Sequence, residues 1–162
     1  MTRSIRVFIE NEAGSDIKNV HDERTLTYLG SKRVARPYPY AYGFVLDTRS
    51  DDGDNLDCYL LTDEALSRDE PCRNELRRGD IVECEPIGLL EQTENGEQDH
   101  NILAVLVGGP RRVDERAQAQ LRDFVLHVFD NLPERSVQAG RFLGVEEAWV
   151  LIERCRSAAS DP

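Results

Sequence analysis

Apolar and polar positions change rhythm about two thirds of the way along the chain. Up to residue 107, apolar residues fall in short runs bounded by turn formers, the pattern of strands. Ile5-Arg-Val-Phe-Ile-Glu10 predicts a strand ending in a carboxylate, and Leu26-Thr-Tyr-Leu29 a short second one. Tyr42-Gly-Phe-Val-Leu46 and Cys58-Tyr-Leu-Leu61 are apolar runs between turns. Asp80 to Leu90 alternates before Pro86 and is apolar after it, and the Pro predicts a bulge or bend. Ile102 to Val107 is a fully apolar strand. The charged stretch Ala65 to Arg78, with Pro71 inside it, predicts a loop. Five or more strands at this spacing predict a small barrel.

The last third has helical spacing. Asp114 can cap a helix running through Asp130, in which Leu121, Phe124, Val125 and Val128 share a face. Leu132-Pro133 ends it, and Gly144 precedes a second helix from Val145 to about Ser157, with Ala148, Trp149, Ile152 and Cys155 inward. The expected class is α+β, mainly β: a five-stranded, OB-like closed barrel with flanking C-terminal helices. The 162 residues fit one domain spanning 1–162, without repeats.

No run reaches the length of a membrane span, and Met1-Thr-Arg-Ser-Ile-Arg6 lacks the apolar core of a signal peptide. The expected compartment is the cytoplasm. Cys58, Cys72, Cys84 and Cys155 form no C-x-x-C pair, which leaves zinc-ribbon and thioredoxin readings unsupported and predicts reduced, partly buried thiols. The net charge of −11 repels nucleic acid and anionic membrane. Such a chain holds a polyanion only with metal cations between the charges. Lysine is confined to Lys18 and Lys32, so Arg supplies the rest of the positive charge, in a form suited to phosphate.

The informative segment is Ser50-Asp-Asp-Gly-Asp-Asn-Leu-Asp-Cys58. A solvated turn explains Asp-Gly and Asp-Asn. It does not explain Asp57 at the head of an apolar strand, nor so much like charge in one place, which cations or protons must relieve. An EF-hand counted from Asp47 fails, because Asp52 stands where Gly is needed and Cys58 where Glu is needed. An all-oxygen cluster suits Mg²⁺, or Mn²⁺, over zinc. A second acidic segment, Glu91 to His100, predicts a hairpin loop around Asn95-Gly96. A third, Arg33-Val-Ala-Arg-Pro-Tyr-Pro-Tyr-Ala-Tyr-Gly43, is either a rigid packed loop or a set of phenols and Arg side chains offered to an anion.

Together these segments resemble family I soluble inorganic pyrophosphatases. That family carries Tyr-Pro-x-x-Tyr-Gly followed by Asp-Gly-Asp-x-x-Asp, matched here by Tyr38 to Gly43 and Asp52-Gly-Asp54-Asn-Leu-Asp57. Pro86-Ile-Gly-Leu-Leu90, Glu94 to Val105, Val7-Phe-Ile-Glu10 and Ile17-Lys18 look like further elements of it, so the likeness covers residues 5–107. The resemblance implies that Asp52, Asp57 and Asp99 are the principal metal ligands, with Asp57 bridging two ions. It implies that Asp54 accepts a proton from the attacking water, that Glu94 stands where the family has an Asp for a further metal, and that Glu10 belongs to the metal site. Lys18, Tyr42 and Arg33 match phosphate-binding groups; the loop is about three residues shorter than usual, so Arg36 is the alternative to Arg33.

Three departures stand out. Asn101 occupies the place of a Lys, Val128-Phe129 that of a Tyr-Lys pair, and Val20 that of a Glu for which His21 or Asp22 is the candidate substitute. The missing cations leave Arg135 or Arg141 to fill in, and the apolar Val128-Phe129 pair is read as packing surface. The implied activity is Mg²⁺-dependent hydrolysis of pyrophosphate by an activated water, in a homo-oligomer. The alternatives are a diverged phosphohydrolase of the same fold and a metal-binding pseudoenzyme serving as an interaction module. His100 could touch a ligand; His21 and His127 are expected to be structural or exposed.

Overall fold

The computed structural model describes residues 3–61, 76–109 and 112–160. Its elements in chain order are β1 (Ile5–Asn11), β2 (Ile17–His21), β3 (Tyr28–Arg33), β4 (Ala41–Val45), β5 (Asp57–Leu60), β6 (Ile81–Glu94), β7 (Glu97–Gln98), β8 (Asn101–Leu106), α1 (Glu115–His127), β9 (Val137–Leu143) and α2 (Val145–Ser160). Strands β1, β4, β5, β8 and β6 are neighbours in that order, and β6 pairs back onto β1. The ring of five strands therefore closes, as the spacing of apolar runs predicts. Closure removes the exposed edges an open sheet would carry.

Period-two alternation distributes the ring between two cores. Ile5, Val7 and Ile9 of β1, and Ile102 and Ala104 of β8, pack with Ala148, Trp149, Ile152 and Cys155 of α2. Leu103 and Val105 face the other way, against Leu121, Phe124 and Val125 of α1. Both faces of β8 are thus buried, which is why its sequence is uniformly apolar. α1 starts where Asp114 accepts the Ala117 amide at 2.8 Å, and ends three residues before the predicted Asp130. α2 runs on to Ser160, beyond the predicted Ser157.

β6 is longer than its predicted stretch. It spans 14 residues and bends where register slips between Pro86 and Gly88, as Pro86 foretells. Its first half pairs β1 and β8; its far half carries β7 and β9. The hairpin at Asn95-Gly96 has positive φ at both residues, 52° and 83°, as a tight two-residue turn requires.

Three elements differ from the sequence reading. β2 and β3 form a separate two-stranded sheet. The expected strand at Leu26 starts at Tyr28 instead, because Leu26 takes φ +62° in the turn. β9 goes unpredicted: Val137-Gln-Ala-Gly-Arg-Phe-Leu143 is half-buried only at Val137, Ala139, Phe142 and Leu143 and is interrupted by Gly140. The expected loop over 65–78 lies outside the described residues except for 76–78, as does Cys72. Cys58, Cys84 and Cys155 are buried free thiols. Among the described residues no helix is long and apolar enough to cross a membrane.

Gly43 marks the closest strand contact. A Cβ there would sit 1.8 Å from the Phe8 carbonyl oxygen across the β1–β4 pair. Gly43→Ala is expected to cost about 3 kcal/mol, the upper end of overpacking penalties, read as a lowered urea midpoint; an unchanged midpoint would contradict this packing.

Candidate active site

The parallel pairing of β5 and β8 sets Asp57 opposite Asn101. Asp99, two residues before Asn101, comes to the same cavity, and the two carboxyls lie close enough for each to shift the other. Burial and the facing Asp99 push the Asp57 carboxyl far above the usual carboxylate range; Lys18 and a hydrogen bond from Tyr42 pull the other way. Burial also raises Asp99. Two carboxyls in contact cannot both ionise freely. A chain of amides steadies the pair: Asn101 Nδ2 donates to Gln92 Oε1 at 2.7 Å, and Gln92 Nε2 donates to Asp99 at 3.3 Å.

Around this pair lies a cavity of about 480 Å³ on the α1 side of the ring. Eight carboxylates of the described residues line it: Glu10, Glu23, Asp52, Asp54, Asp57, Glu94, Glu97 and Asp99. Tyr38, Tyr42, Tyr59 and, from the end of α1, Phe124, Val128 and Phe129 complete the wall. Two cations line it among the described residues, Lys18 and Arg135.

The exposed loop before β5 is shaped by its own side chains. Asp52 accepts from Ser50 Oγ at 2.5 Å and from the Asp54 amide at 2.9 Å, and Gly53 turns the chain at φ +90°. Burial and then Asp52 raise the Asp54 carboxyl. On β1, buried Glu10 accepts from the His21 amide at 3.1 Å and contacts His21 Nδ1 at 3.2 Å. Burial raises Glu10, against the pull of Lys18 and His21.

Of the sequence-predicted residues, the fold brings Glu10, Lys18, Tyr42, Asp52, Asp54, Asp57, Glu94 and Asp99 to one cavity. Arg33 and Arg36 are elsewhere. Arg33, 71% exposed, pairs with Asp16 at 2.6 Å, and Arg36 reaches Asp123 of α1 at 3.6 Å; neither lines the cavity. Arg141 is 77% exposed and bound to Glu91, whereas Arg135 lies in the cavity wall. Glu94 is there too, but both its oxygens are taken by Arg135, at 2.7 and 2.9 Å. His100 contacts the Gln92 backbone and does not line the cavity. Val128 is buried, and Phe129 packs against the same core, so the pair faces inward.

Glu23 is the residue the sequence reading missed. Neither proposed substitute for the absent Glu serves: His21 is buried on Glu10, and Asp22 caps its own turn through the Arg24 and Thr25 amides. Glu23 instead faces the cavity and accepts the Asn55 amide at 2.8 Å, tying β2 to the acidic loop. Burial, with Asp54, Glu10 and Asp52 adding to it, pushes Glu23 up to about 7. Only its place next to His21-Asp22, three residues past Val20, could have suggested it.

The donor set is wholly oxygen and crowded with like charge, which fits a hard divalent cation. Among the described residues no three of these carboxylates yet surround one point. Asp57 and Asp99 form the fixed part, and carboxylates of the exposed loop would turn in to complete a shell.

The raised Glu23 has a thermodynamic consequence. Between its ordinary value of 4.5 and about 7, the folded chain keeps a proton that the unfolded chain has lost. Stability is therefore lost as pH rises through that window. In EDTA, Glu23→Gln is expected to raise the urea midpoint at pH 8 and to leave it near wild type at pH 4.5. An equal effect at both values would contradict the assignment.

Comparison with known proteins bears on this geometry. The inorganic pyrophosphatase family model matches residues 7–160. The inorganic pyrophosphatase of Nostoc sp. is 34% identical over 133 residues, covering 80% of this chain and 70% of that protein. The Nanoarchaeum equitans inorganic pyrophosphatase is 28% identical over 165 aligned positions, 94% of this chain and 95% of that one. The solved Helicobacter pylori inorganic pyrophosphatase superposes with a TM-score of 0.84 at 22% identity, covering 98% and 94% of the two chains. The Thermus thermophilus structure gives 0.81 at 21% identity, covering 98% and 92%. The fold is theirs, and the extent of the family match shows that this chain belongs to the inorganic pyrophosphatase family.

Proposed function

We propose that this chain hydrolyses inorganic pyrophosphate to two phosphates, using water activated by Mg²⁺ held at the Asp57–Asp99 pair. The observation that carries the reading is that close pair of carboxyls in a cavity lined by six more among the described residues. Pyrophosphatases of this family are metal-dependent. An acidic cavity binds a polyanion only when cations stand between them.

Asp52, Asp57 and Asp99 would hold the metal; Mn²⁺ suits the same oxygens. Bound there, the metal lowers the pKa of a coordinated water and neutralises phosphate oxygens. Asp54 sits on the exposed loop beside Asp52 and takes the proton of the attacking water. Lys18, whose Nζ lies 5.6 Å from the Tyr42 ring centroid, offers charge to the leaving phosphate, and the Tyr42 hydroxyl offers a hydrogen bond. Glu10, held by His21, presents its carboxylate to the same cavity. Glu94 would reach a further metal only by releasing Arg135. Asp16 and Asp123 hold Arg33 and Arg36 away from the cavity, so either would reach phosphate only by leaving its partner. The homo-oligomer, the cytoplasm and a single functional unit over 1–162 belong to this proposal on the strength of the family likeness.

One observation favours a second reading. Among the described residues two cavity cations are few for a diphosphate, and a diverged hydrolase for another phosphoanhydride or a phosphate ester would need fewer. Phosphate release from a panel of phosphate compounds separates the readings; a better substrate than pyrophosphate would favour the second.

Asp54→Asn is expected to slow Mg²⁺-dependent phosphate release from pyrophosphate by roughly 10²–10⁴-fold, the usual worth of a positioned base. Asp57→Asn is expected to abolish it. Wild-type turnover in either variant would remove that residue from the mechanism.

A further inference from the structure

We propose that Arg135 is the cavity's second phosphate-binding cation, presented by Phe129, and that Glu94 orients it instead of ligating metal. The proposal rests on the cavity being a pyrophosphate site.

A diphosphate offers two charged ends, and the described cavity wall offers two cations, Lys18 and Arg135. Lys18 stands by the Asp57–Asp99 pair, whose carboxyls feel its charge. Arg135 belongs to the part of the wall built by Phe129, Glu94 and Val137. Other arginines named in the sequence reading are committed outside: Arg33 to Asp16, Arg36 to Asp123, Arg141 to Glu91.

Arg135 is held in a way that a loose surface ion pair is not. Its Nε and Nη2 donate to the two oxygens of Glu94 at 2.9 and 2.7 Å, a bidentate fork. Its guanidinium carbon lies 3.6 Å from the Phe129 ring centroid. Both side chains of the pair are only 22% exposed. One edge and one face of the guanidinium plane are thereby fixed. A guanidinium carries five N–H donors, so the Nη1–Nη2 edge forms a second fork, matched to two oxygens of a phosphoryl group.

The strand pairing explains why these residues meet across 41 positions. β9 lies on β6 with Val137 opposite Glu94, and Arg135 enters two residues before Val137. Phe129 stands where the resemblance expects a charged residue at the end of the first helix. Here that position gives an aromatic platform, and the charge arrives from the next loop.

Calorimetric titration of inorganic phosphate into the Mg²⁺-loaded protein tests this without turnover, with pyrophosphate kinetics beside it. Arg135→Gln is expected to weaken phosphate binding and raise KM for pyrophosphate by about tenfold or more, the worth of a charge-assisted contact. Arg135→Lys, which keeps the charge and loses the fork, should fall between. Glu94→Gln should weaken phosphate binding while leaving the Mg²⁺ concentration for half-maximal activation unchanged. Phosphate affinity and KM at wild-type values in folded Arg135→Gln would overturn the proposal. A raised Mg²⁺ requirement with unchanged phosphate affinity in Glu94→Gln would return Glu94 to the metal. A wild type that turns over no pyrophosphate, yet binds phosphate through Arg135, would sink the pyrophosphatase reading and keep this one.

Discussion

The contact between the Asp57 and Asp99 carboxyls organises the rest of the cavity. Parallel pairing of β5 with β8, in the register that sets Asp57 opposite Asn101, makes the contact unavoidable once the ring closes. Two carboxylates so placed repel unless a proton or a cation lies between them. The surrounding groups answer that need in part. Lys18 and the Tyr42 hydroxyl favour the ionised form of Asp57, and the Asn101–Gln92 amides hold Asp99 in place. What they leave unrelieved is the demand a divalent cation meets.

The fold separates stability from chemistry. α2 covers one side of the ring with Trp149 and Ile152 in a core that carries no site residue. α1 covers the other side, and its far end, with Tyr38, Tyr42 and Tyr59, makes the cavity wall. β6 joins the two regions: its first half closes the ring on β1, and its second half leads Gln92 and Glu94 to the cavity. Carboxylates come from β1, the 50–54 loop, β5, the β6–β7 hairpin and the β7–β8 connection, with Glu23 added from the turn after β2. The helical end brings the aromatic platform and the loop cation.

This division also explains what the sequence disclosed. The acidic cluster was legible because it is local: Asp52, Asp54 and Asp57 lie within six positions, and their crowding is visible without a fold. The five-stranded ring was legible because each strand buries enough apolar surface to stand out as an apolar or alternating run between turns. β9 was not, since Gly140 and a slip in its register on β6 break the alternation of its half-buried Val137, Ala139 and Phe142. Glu23 was hidden because its environment is made by Asn55, 32 positions away. Arg135 and Arg141 looked equivalent in sequence; only the β6–β9 register sends one to Glu94 at the cavity and leaves the other, exposed, on Glu91. Arg33 and Arg36 looked well placed beside the tyrosines, but carboxylates on the β1–β2 connection and on α1 hold them outside.

The central claim is that the carboxyl pair is a cation site, and stability in the presence of Mg²⁺ reads it directly. A ligand that binds only the folded chain stabilises it by about 2.7 kcal/mol at a hundred times its Kd. Urea denaturation of the wild type at pH 8 should therefore shift to higher midpoints as Mg²⁺ is raised, and the shift should vanish in Asp57→Asn. A midpoint indifferent to Mg²⁺ in the wild type, or a shift that survives Asp57→Asn unchanged, would contradict the account.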